Sequence, residues 1–362
     1  MDRAAFLTSG ISRENFGIEI GAFHNPIAPK AHGWKTTVVD FTDQAGLLNV
    51  ARNHTSQIMR DMASNIEVVD IVWRGQPLDE ACLAIRQEGF RYLIASHVIE
   101  HVPDIIGFLG QISRLADDNF ILSLAVPDCR QTFDYFKPLS STADALLAHR
   151  HKRIMHCPET MFVAYAYASW LDGVGAWQLG ATGALTLPDS LDHAHSIYLS
   201  YLEKLENGTQ PYKDSHCWHW TPSSFQLMML ELNHLGYIDF VIDECEQGPS
   251  SEFLVRLKRG KYRLESEELH NRRLQLLMQT KCELAEASAM SPILHQEADV
   301  DLQSKELRSE NALLQSKIDE QEAMLAEERV NLAIAQQRIL DLENSTSWRI
   351  TKPLRATKSL LR

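Results

Sequence analysis

Histidine side chains occur in two parts of the chain where an imidazole could accept a proton near neutral pH. His97 and His101 stand in the segment S-H-V-I-E-H-V-P-D. His216 stands in the segment D-S-H-C-W-H-W, more than a hundred residues later. A general base is needed wherever a hydroxyl group attacks an electrophile, because its proton must be removed. The sequence therefore predicts His97, His101 and His216 as candidate catalytic bases, and it does not select the base among these and His149, His151 and His219.

The second segment also carries donors of the kind that bind metals. Asp214, His216, Cys217 and His219 offer oxygen, nitrogen and sulfur atoms within six residues. Their spacing of one to three residues suits a strand or a turn better than a four-ligand cage. We therefore predict no metal site from the sequence and expect His219 to line a substrate pocket beside His216.

A second group of residues has the spacing of a nucleotide-binding site. Glu19 and Gly21 end a short apolar run, F-G-I-E-I-G, and Asp40 ends the next one, T-V-V-D, 21 residues after Glu19. An acidic residue at this distance can accept hydrogen bonds from the two hydroxyls of a ribose, while a glycine lets the backbone approach the ligand closely. Phe23 and Asn25 stand where a full glycine-rich motif would have further glycines.

The segment R-Y-L-I-A-S-H-V-I-E-H-V-P-D and the later N-F-I-L-S-L-A-V-P-D resemble class I S-adenosylmethionine (SAM)-dependent methyltransferases of the small-molecule branch, over residues 12–258. The glycine-poor turn E-I-G-A-F-H-N-P-I-A-P-K is similar to methyltransferase-like proteins of bacterial surface-polysaccharide (O-antigen) clusters. The resemblance implies that SAM is the cofactor, and it implies a set of binding residues: Glu19 and Gly21 in the first motif, Asp40 at the ribose, and Ser96 and His97 near the methionine end.

Other positions follow from the same resemblance. Trp73 falls where such enzymes hold the adenine, so it either stacks on the base or packs in the core. Asp128 follows the fifth predicted strand at the rim where acceptors enter. His149 and His151 flank Arg150, an arrangement that could contact an anionic sugar or phosphate. These residues, with His219, are the predicted acceptor-binding set.

Positioning these side chains requires an α/β fold, because short apolar runs alternate with helical patterns up to about residue 258. The sequence predicts a Rossmann-like, doubly wound sheet of seven strands. The first five are 17–20, 36–41, 66–72, 92–95 and 120–126, and an antiparallel pair follows at 237–243 and 253–257. Helices are predicted at 78–87, 105–115 and 222–235. The interruption at about 129–220 is predicted to be a helical cap over the carboxyl ends of the strands.

Beyond this domain, residues 259–345 are rich in Glu, Gln, Leu, Lys and Ala and predict a helical region. A heptad pattern from Leu307 to Leu342 favours a parallel coiled coil and hence a homo-oligomer. The alternative is an exposed helix that folds back on the body. Its predicted a positions are 311, 318, 325, 332 and 339, and its d positions are 307, 314, 321, 328, 335 and 342.

The charge of the chain is uneven. Its formal net charge is -13, yet residues 348–362 contain five basic and no acidic side chains. The acidic body argues against a nucleic-acid partner. The basic, apolar tail 346–362 predicts contact with an anionic membrane surface or with glycosyltransferases, unless it is a frayed terminus. The six scattered cysteines indicate reduced thiols, and without a signal-peptide pattern or a long apolar run we expect a cytoplasmic location, peripheral on the inner membrane if the tail binds lipid.

Together these observations predict a SAM-dependent methyltransferase that modifies a sugar hydroxyl, carried on a glycan or a nucleotide sugar, during surface-polysaccharide synthesis. The alternative is a non-catalytic scaffold with a methyltransferase-like fold that recruits glycosyltransferases at the membrane.

Overall fold

A computed structural model of the chain describes residues 2–54 and 56–289, and beyond them only isolated helical positions: 317, 321, 324, 325, 329, 332, 335–339 and 341. The chain forms two compact units, Met1–Leu294 and His295–Arg362. The first unit contains every strand in the described residues and all of the predicted site residues.

The strands of the first unit are β1 Phe16–Ile20, β2 Lys35–Asp40, β3 Ile71–Val72, β4 Phe90–Ser96, β5 Ala116–Pro127, β6 Trp170–Leu171, β7 Leu185–Thr186, β8 Phe240–Gln247 and β9 Glu252–Arg259. The α-helices are α1 Arg3–Leu7, α2 Gln44–Arg52, α3 Gln57–Asp61, α4 Leu78–Ile85, α5 Ile105–Leu115, α6 Thr142–Arg150, α7 Pro158–Ala166, α8 Leu191–Glu206, α9 Pro222–His234 and α10 Ser266–Ala289. Short 3₁₀ turns occupy Lys30–His32, Met62–Asn65, Ile99–His101 and Cys129–Gln131.

Seven strands form one sheet in the order β3-β2-β1-β4-β5-β9-β8. Strands β1 to β5 are parallel to one another, whereas β9 is antiparallel to both β5 and β8. The order reverses between β1 and β4, and ligands of open α/β sheets bind outside the carboxyl ends of the strands at such a switch point. The predicted seven-stranded, Rossmann-like sheet and its antiparallel pair are confirmed.

The third strand is shorter than predicted. Residues before Ile71 are engaged by a neighbouring loop, because the Glu67 carboxylate accepts the backbone N–H groups of Lys30 and Ala31. The Asp70 carboxylate likewise accepts the N–H of Val38, 2.8 Å away. Side chains thus take the hydrogen bonds that a longer strand would have made.

The sheet is buried on both faces at its centre. Leu93 of β4 belongs to a large apolar cluster with residues of α4, α5 and α9, whereas its neighbour Ile94 belongs to a second cluster with α1. Gly17 in β1 is required for this packing, because a Cβ atom there would lie 2.1 Å from the buried ring of Tyr92. These strands are continuous apolar runs because helices cover both faces of the sheet.

The predicted cap contains helices α6, α7 and α8, and also the β6–β7 hairpin, which the sequence did not predict. The first and last residues of the insertion lie side by side. Asp128 pairs with Trp220, and the N–H of Cys129 donates to the carbonyl oxygen of Trp220. Thr221 then caps α9, in which Pro222 is the first residue, as the sequence predicts.

Helix α10 belongs to the same compact unit as the sheet. It lies against α9, where the Ser223 hydroxyl donates to Glu283 and Arg273 pairs with Glu231. Within the described residues, no helix is both long and apolar enough to cross a bilayer.

In the second unit, the described positions are helical and their side chains are exposed, among them Leu325, Leu332 and Ile339 of the predicted a positions and Gln321 and Ala335 of the d positions. The other heptad positions and the basic tail lie outside the described residues. The coiled coil therefore stays a prediction.

Candidate active site

The loop after β1 is organised by Glu19. Both of its carboxylate oxygens accept backbone hydrogen bonds, from Ile27 at 2.7 Å and from Ala28 at 2.9 Å. Burial raises the pKa of Glu19 to about 7, although these two bonds lower it. Glu19 therefore shapes the loop from within, whereas Gly21 lies at its start with a φ of 71° and its N–H bonded to Val39 of β2.

Asp40 lies beside this loop at the end of β2. Its Oδ1 atom accepts the N–H of Phe41 at 2.8 Å, whereas Oδ2 is buried and accepts no hydrogen bond within the described part of the chain. Burial raises the pKa of Asp40, and the backbone N–H groups of Phe41 and Phe23 lower it in part. A buried carboxylate oxygen without a partner costs about 1–3 kcal/mol, so it is a position where a ligand hydroxyl would be stabilised.

Phe23 occupies a position where the usual motif has a glycine. It adopts a φ of 40°, a left-handed conformation that glycine adopts more readily. Its side chain packs against the small apolar cluster of Leu47, Ala51 and Ile66. The backbone thus keeps the glycine-type turn, and the phenylalanine ring is accommodated by packing behind the loop. We call Glu19, Gly21, Phe23 and Asp40 the Asp40 site.

Trp73 lies next to the Asp40 site, since its backbone N–H donates to the carbonyl oxygen of Asp40 at 2.8 Å. Its indole stacks on Phe108, with ring centroids 5.9 Å apart, and its Nε1–H donates to the carbonyl oxygen of Gln76. These contacts agree with the second of the two sequence predictions for Trp73, that its side chain packs in the core.

Ser96 and His97 end β4 at the same edge of the sheet. Arg3 of α1 donates to Ser96 Oγ and to Glu252, and Glu252 in turn lies 2.9 Å from His97 Nε2. His97 has a φ of 53° and a side chain that is 43% exposed. Burial lowers its pKa, but the hydrogen bond with Glu252 and the charge of Glu100 outweigh this and raise it.

His101 and His216 meet around Glu100, which the 3₁₀ turn after β4 carries. The rings of the two histidines pack edge to face with centroids 4.7 Å apart. Glu100 Oε1 lies 3.6 Å from His101 Nε2 and 3.9 Å from His216 Nε2, and 3.6 Å from His97 Nδ1. The structure therefore brings together the three histidines that the sequence predicts as bases.

A second carboxylate holds the other nitrogen of each histidine. Asp214 lies 2.8 Å from His101 Nδ1, and Asp134 lies 2.6 Å from His216 Nδ1. Burial raises the pKa of Asp214, but contact with His101 overrides this and lowers it to about 2. The Glu100 cluster is the following set: Glu100, His97, His101 and His216, with the outer carboxylates of Glu252, Asp214 and Asp134.

His219 is next to this cluster in sequence but is buried away from solvent. Its Nδ1 atom lies 3.2 Å from the carbonyl oxygen of Pro138, and burial lowers its pKa to about 4. A neutral imidazole is therefore expected there. His219 packs inside the insertion and, being 6% exposed, offers little surface to an acceptor.

Asp128 requires a correction. The sequence places it at the rim of the acceptor pocket, but its side chain is fully buried and its Oδ2 lies 2.6 Å from an Arg130 nitrogen. The buried guanidinium needs a charged partner, and Asp128 supplies it. Its carboxylate is thus engaged within the chain at the point where the insertion begins.

The group His149, Arg150 and His151 lies at the end of α6. His149 Nδ1 is 2.9 Å from Asp104, and its ring contacts Tyr237, whereas Arg150 and His151 are exposed and contact each other. In the part of the chain that the structure describes, these ion-pair, hydrogen-bond and ring contacts involve no member of the Glu100 cluster. The structure therefore does not bring this group together with His101 and His216.

Four residues of the site were missed by the sequence reasoning: Glu100, Glu252, Asp134 and Arg3. Glu100 stands in the segment S-H-V-I-E-H-V, which resembles methyltransferases, so the sequence contained a signal that could have identified it. The other three come from distant segments, with Arg3 and Glu252 separated by 249 residues.

No protein-family model matches the chain, and no curated protein sequence matches it. Solved structures with a similar fold include the CcbJ methyltransferase from Streptomyces caelestis (12% identical, 71% of this chain and 94% of that one, TM-score 0.35). A SAM-dependent methyltransferase from Mesorhizobium loti is 11% identical, over 71% of this chain and 98% of its own, with a TM-score of 0.33.

The magnesium protoporphyrin IX methyltransferase of Synechocystis PCC 6803, with S-adenosylhomocysteine (SAH) bound, is 11% identical. The match covers 67% of this chain and 74% of that one, with a TM-score of 0.28. These likenesses are too distant to assign an activity. The fold assignment comes from the sheet order of this chain, and the chemistry has to come from its own residues.

Proposed function

We propose that this protein is a SAM-dependent methyltransferase that modifies a sugar hydroxyl of a bacterial surface polysaccharide. The observation that carries the proposal is the buried Oδ2 atom of Asp40, which has no partner among the described residues and lies at the carboxyl end of β2, the strand beside β1. A ribose hydroxyl is the donor that such a carboxylate takes in nucleotide-binding folds of this order.

The residues present fit the cofactor. Gly21 lets the loop lie close to the turn after β4, because a Cβ atom there would lie 3.1 Å from a Val98 methyl group. Asp40 supplies the acceptor for the ribose, and Glu19 fixes the loop through two backbone hydrogen bonds. Ser96 and His97 end the neighbouring strand and would line the methionine end.

Bound SAM supplies a methyl group that is already activated for transfer. The protein has to align the acceptor and remove its proton. His97 is the candidate base that is both exposed and next to Ser96, and Glu252 fixes its ring. His101 and His216 are more buried, with exposed side-chain fractions of 23% and 11%, and we assign them to orientation and binding within the Glu100 cluster.

The polysaccharide acceptor is supported by sequence resemblance alone, namely the glycine-poor turn and the basic tail. In this proposal the helical region 259–345 forms a homo-oligomer and the tails dock it on the cytoplasmic face of the inner membrane. Several copies of a weak basic tail on one oligomer would bind anionic lipid more tightly than a single copy.

The tail proposal has a direct test. Deleting residues 348–362 removes five positive charges, so we expect the protein to move from the membrane fraction to the supernatant. Fractionation followed by immunoblotting measures this. A charge-preserving shuffle of the same residues is the control, and an unchanged distribution of the deletion variant would refute the membrane contact.

A non-catalytic scaffold is the second candidate. Phe23 in place of a glycine, with φ at 40°, is the observation in its favour, since the loop lacks a glycine that the usual cofactor motif has at this position. A scaffold of this kind would still bind a glycan or a glycosyltransferase, but its role would not depend on methyl transfer.

The decisive experiment compares surface glycans by mass. A strain lacking the gene is complemented with the wild type, with Asp40→Ala or with Asp61→Asn, an exposed aspartate that serves as the matched control. We expect a glycan carrying one more methyl group with the wild type and Asp61→Asn, and its loss with Asp40→Ala. Glycans of equal mass with and without the gene would reject the methyltransferase.

A further inference from the structure

Glu100 is an unusual buried charge. Its side chain is fully buried, and neither carboxylate oxygen accepts a hydrogen bond from the described residues. Buried carboxylates are normally hydrogen-bonded, paired with a cation or bound to a metal ion, because losing hydration is costly. The Glu100 oxygens therefore need a partner.

The atoms around Glu100 are spaced for a shared ion rather than for direct hydrogen bonds. Its Oε1 atom lies 3.6 Å from His101 Nε2 and 3.9 Å from His216 Nε2. All three atoms lie within 4.8 Å of one another. Donors held about 2.0–2.1 Å from a tetrahedral zinc ion are roughly 3.3 Å apart, so both Glu100–histidine distances are close to those of a zinc site, and the two histidines would have to approach each other by up to about 1.5 Å.

The outer carboxylates prepare both histidines for this task. Asp214 and Asp134 lie within 2.8 Å and 2.6 Å of the two Nδ1 atoms. The hydrogen bond between His216 Nδ1 and Asp134, and the close approach of Asp214 to His101 Nδ1, favour a proton on each Nδ1 and so leave each Nε2 lone pair directed towards Glu100. Carboxylate, histidine and metal in this sequence are the usual arrangement of second-layer residues around zinc.

We propose that Glu100, His101 and His216 bind one divalent transition-metal ion, with zinc as the preferred ion. Two imidazoles and one carboxylate with a free fourth position are typical of zinc sites that bind water or substrate. Magnesium and calcium prefer sites made entirely of oxygen. Zinc binds a given nitrogen and oxygen site more tightly than iron(II), so zinc also detects a site that iron could use.

Glu100 stands four residues beyond Ser96, so the ion would lie close to the proposed cofactor-lining residues. His97 approaches Glu100 Oε1 at 3.6 Å but is outside the mutually close set. If the proposed function holds, the free position would take the acceptor hydroxyl and lower its pKa, which aids proton removal. This role rests on the proposed function, whereas metal binding itself does not.

The test is a zinc titration of the full chain after treatment with a chelator. Calorimetry and competition with a chromophoric chelator are expected to give one zinc ion per chain. We expect Glu100→Gln and His216→Ala to weaken binding by at least about 100-fold, and Asp214→Asn by about tenfold. His193→Ala, an exposed histidine paired with Asp189, is the matched control and should bind zinc like the wild type.

Thermal unfolding of the same samples distinguishes a loss of zinc binding from a loss of folding. Zinc should raise the unfolding temperature of the wild type but not that of Glu100→Gln. Without zinc, Glu100→Gln should be at least as stable as the wild type, since it removes a buried carboxylate that accepts no hydrogen bond from the described residues. Equal zinc affinity in wild type and Glu100→Gln, or no stoichiometric binding by the wild type, would overturn the proposal.

Titration of the same proteins with S-adenosylhomocysteine, the demethylated product of SAM, separates this proposal from the proposed function. Zinc binding without nucleoside binding would reject the methyltransferase and keep the metal site. Nucleoside binding without zinc binding would reject the metal site and keep the proposed methyltransferase function.

Discussion

The Asp40 site and the Glu100 cluster lie at the same edge of the sheet but are assembled differently. The Asp40 site consists of residues at or just after the ends of two neighbouring strands, and its hydrogen bonds are mainly to the backbone. The Glu100 cluster combines the turn after β4, the insertion and the first residue of β9, and most of its close contacts join side chains. The first is a local product of the fold, and the second depends on the insertion.

This difference assigns them different tasks. Backbone-built loops at strand ends recur wherever open α/β sheets bind nucleotides. Side-chain clusters contributed by insertions vary between proteins of one fold and determine the chemistry carried out on it. We therefore expect the Asp40 site to bind the nucleoside and the Glu100 cluster to serve the acceptor.

The largest expected effect is at Arg3, which pairs with Glu252 of the Glu100 cluster and donates to Ser96 at the end of β4. Arg3→Ala leaves the buried Glu252 with His97 as its remaining charged partner, so we expect the free energy of unfolding to fall by about 3 kcal/mol. Urea denaturation measures this, with Arg52→Ala, an exposed arginine of α2, as the control. A loss below about 1 kcal/mol would show that the fold does not depend on this pair.

The same pair gives the effect of Arg3→Ala a pH dependence. Contacts with His97 and Arg3 lower the pKa of Glu252, although burial raises it. A carboxyl with a lowered pKa in the folded state stabilises the fold above its unfolded pKa, and this contribution is lost as the pH falls. The stability difference between wild type and Arg3→Ala should therefore shrink below about pH 4.

A medium effect is expected at Gly21, which should separate the two regions. Gly21→Ala places a Cβ at a φ of 71° and 3.1 Å from Val98, costing about 1–2 kcal/mol and weakening nucleoside binding about tenfold. Zinc binding should not change. Gly33→Ala has a similar φ but open space around its Cβ, so it should show the strain without the loss of binding. Equal nucleoside binding by both variants would contradict the assignment of Gly21.

The smallest effect is expected at His149, outside both regions. His149→Ala removes a partly exposed pair with Asp104 and should lower the free energy of unfolding by less than about 1 kcal/mol. Neither nucleoside nor zinc affinity should change. A large loss of acceptor turnover would instead place His149, as the sequence predicts, in the acceptor site.

The sequence was informative where the physics is local. Short apolar runs alternating with helical patterns predicted all seven strands of the sheet, and the spacing of Gly21 and Asp40 at the ends of the first two runs predicted a nucleotide-binding site there. It was wrong about the length of β3, because Glu67 and Asp70 bond to neighbouring backbone through their side chains. No periodicity reveals such contacts.

Prediction was weaker for the Glu100 cluster. Imidazole chemistry singled out His97, His101 and His216, and the structure brings them together. The carboxylates of Glu252 and Asp134 could not be predicted, because pairs such as His97 and Glu252 are 155 residues apart. Asp128 shows the opposite failure: its position suggested a rim, but nothing in the sequence showed that Arg130 would pair with it in the interior.

Titration with S-adenosylhomocysteine tests the central claim, that Asp40 is the nucleoside-binding acid of this fold, most directly. Calorimetry on the wild type, Asp40→Asn and the control Asp61→Asn should give one site per chain in the wild type and the control. Loss of a charged hydrogen bond should weaken binding to Asp40→Asn by about 10- to 100-fold. No heat with the wild type, or equal affinity in Asp40→Asn, would contradict the account.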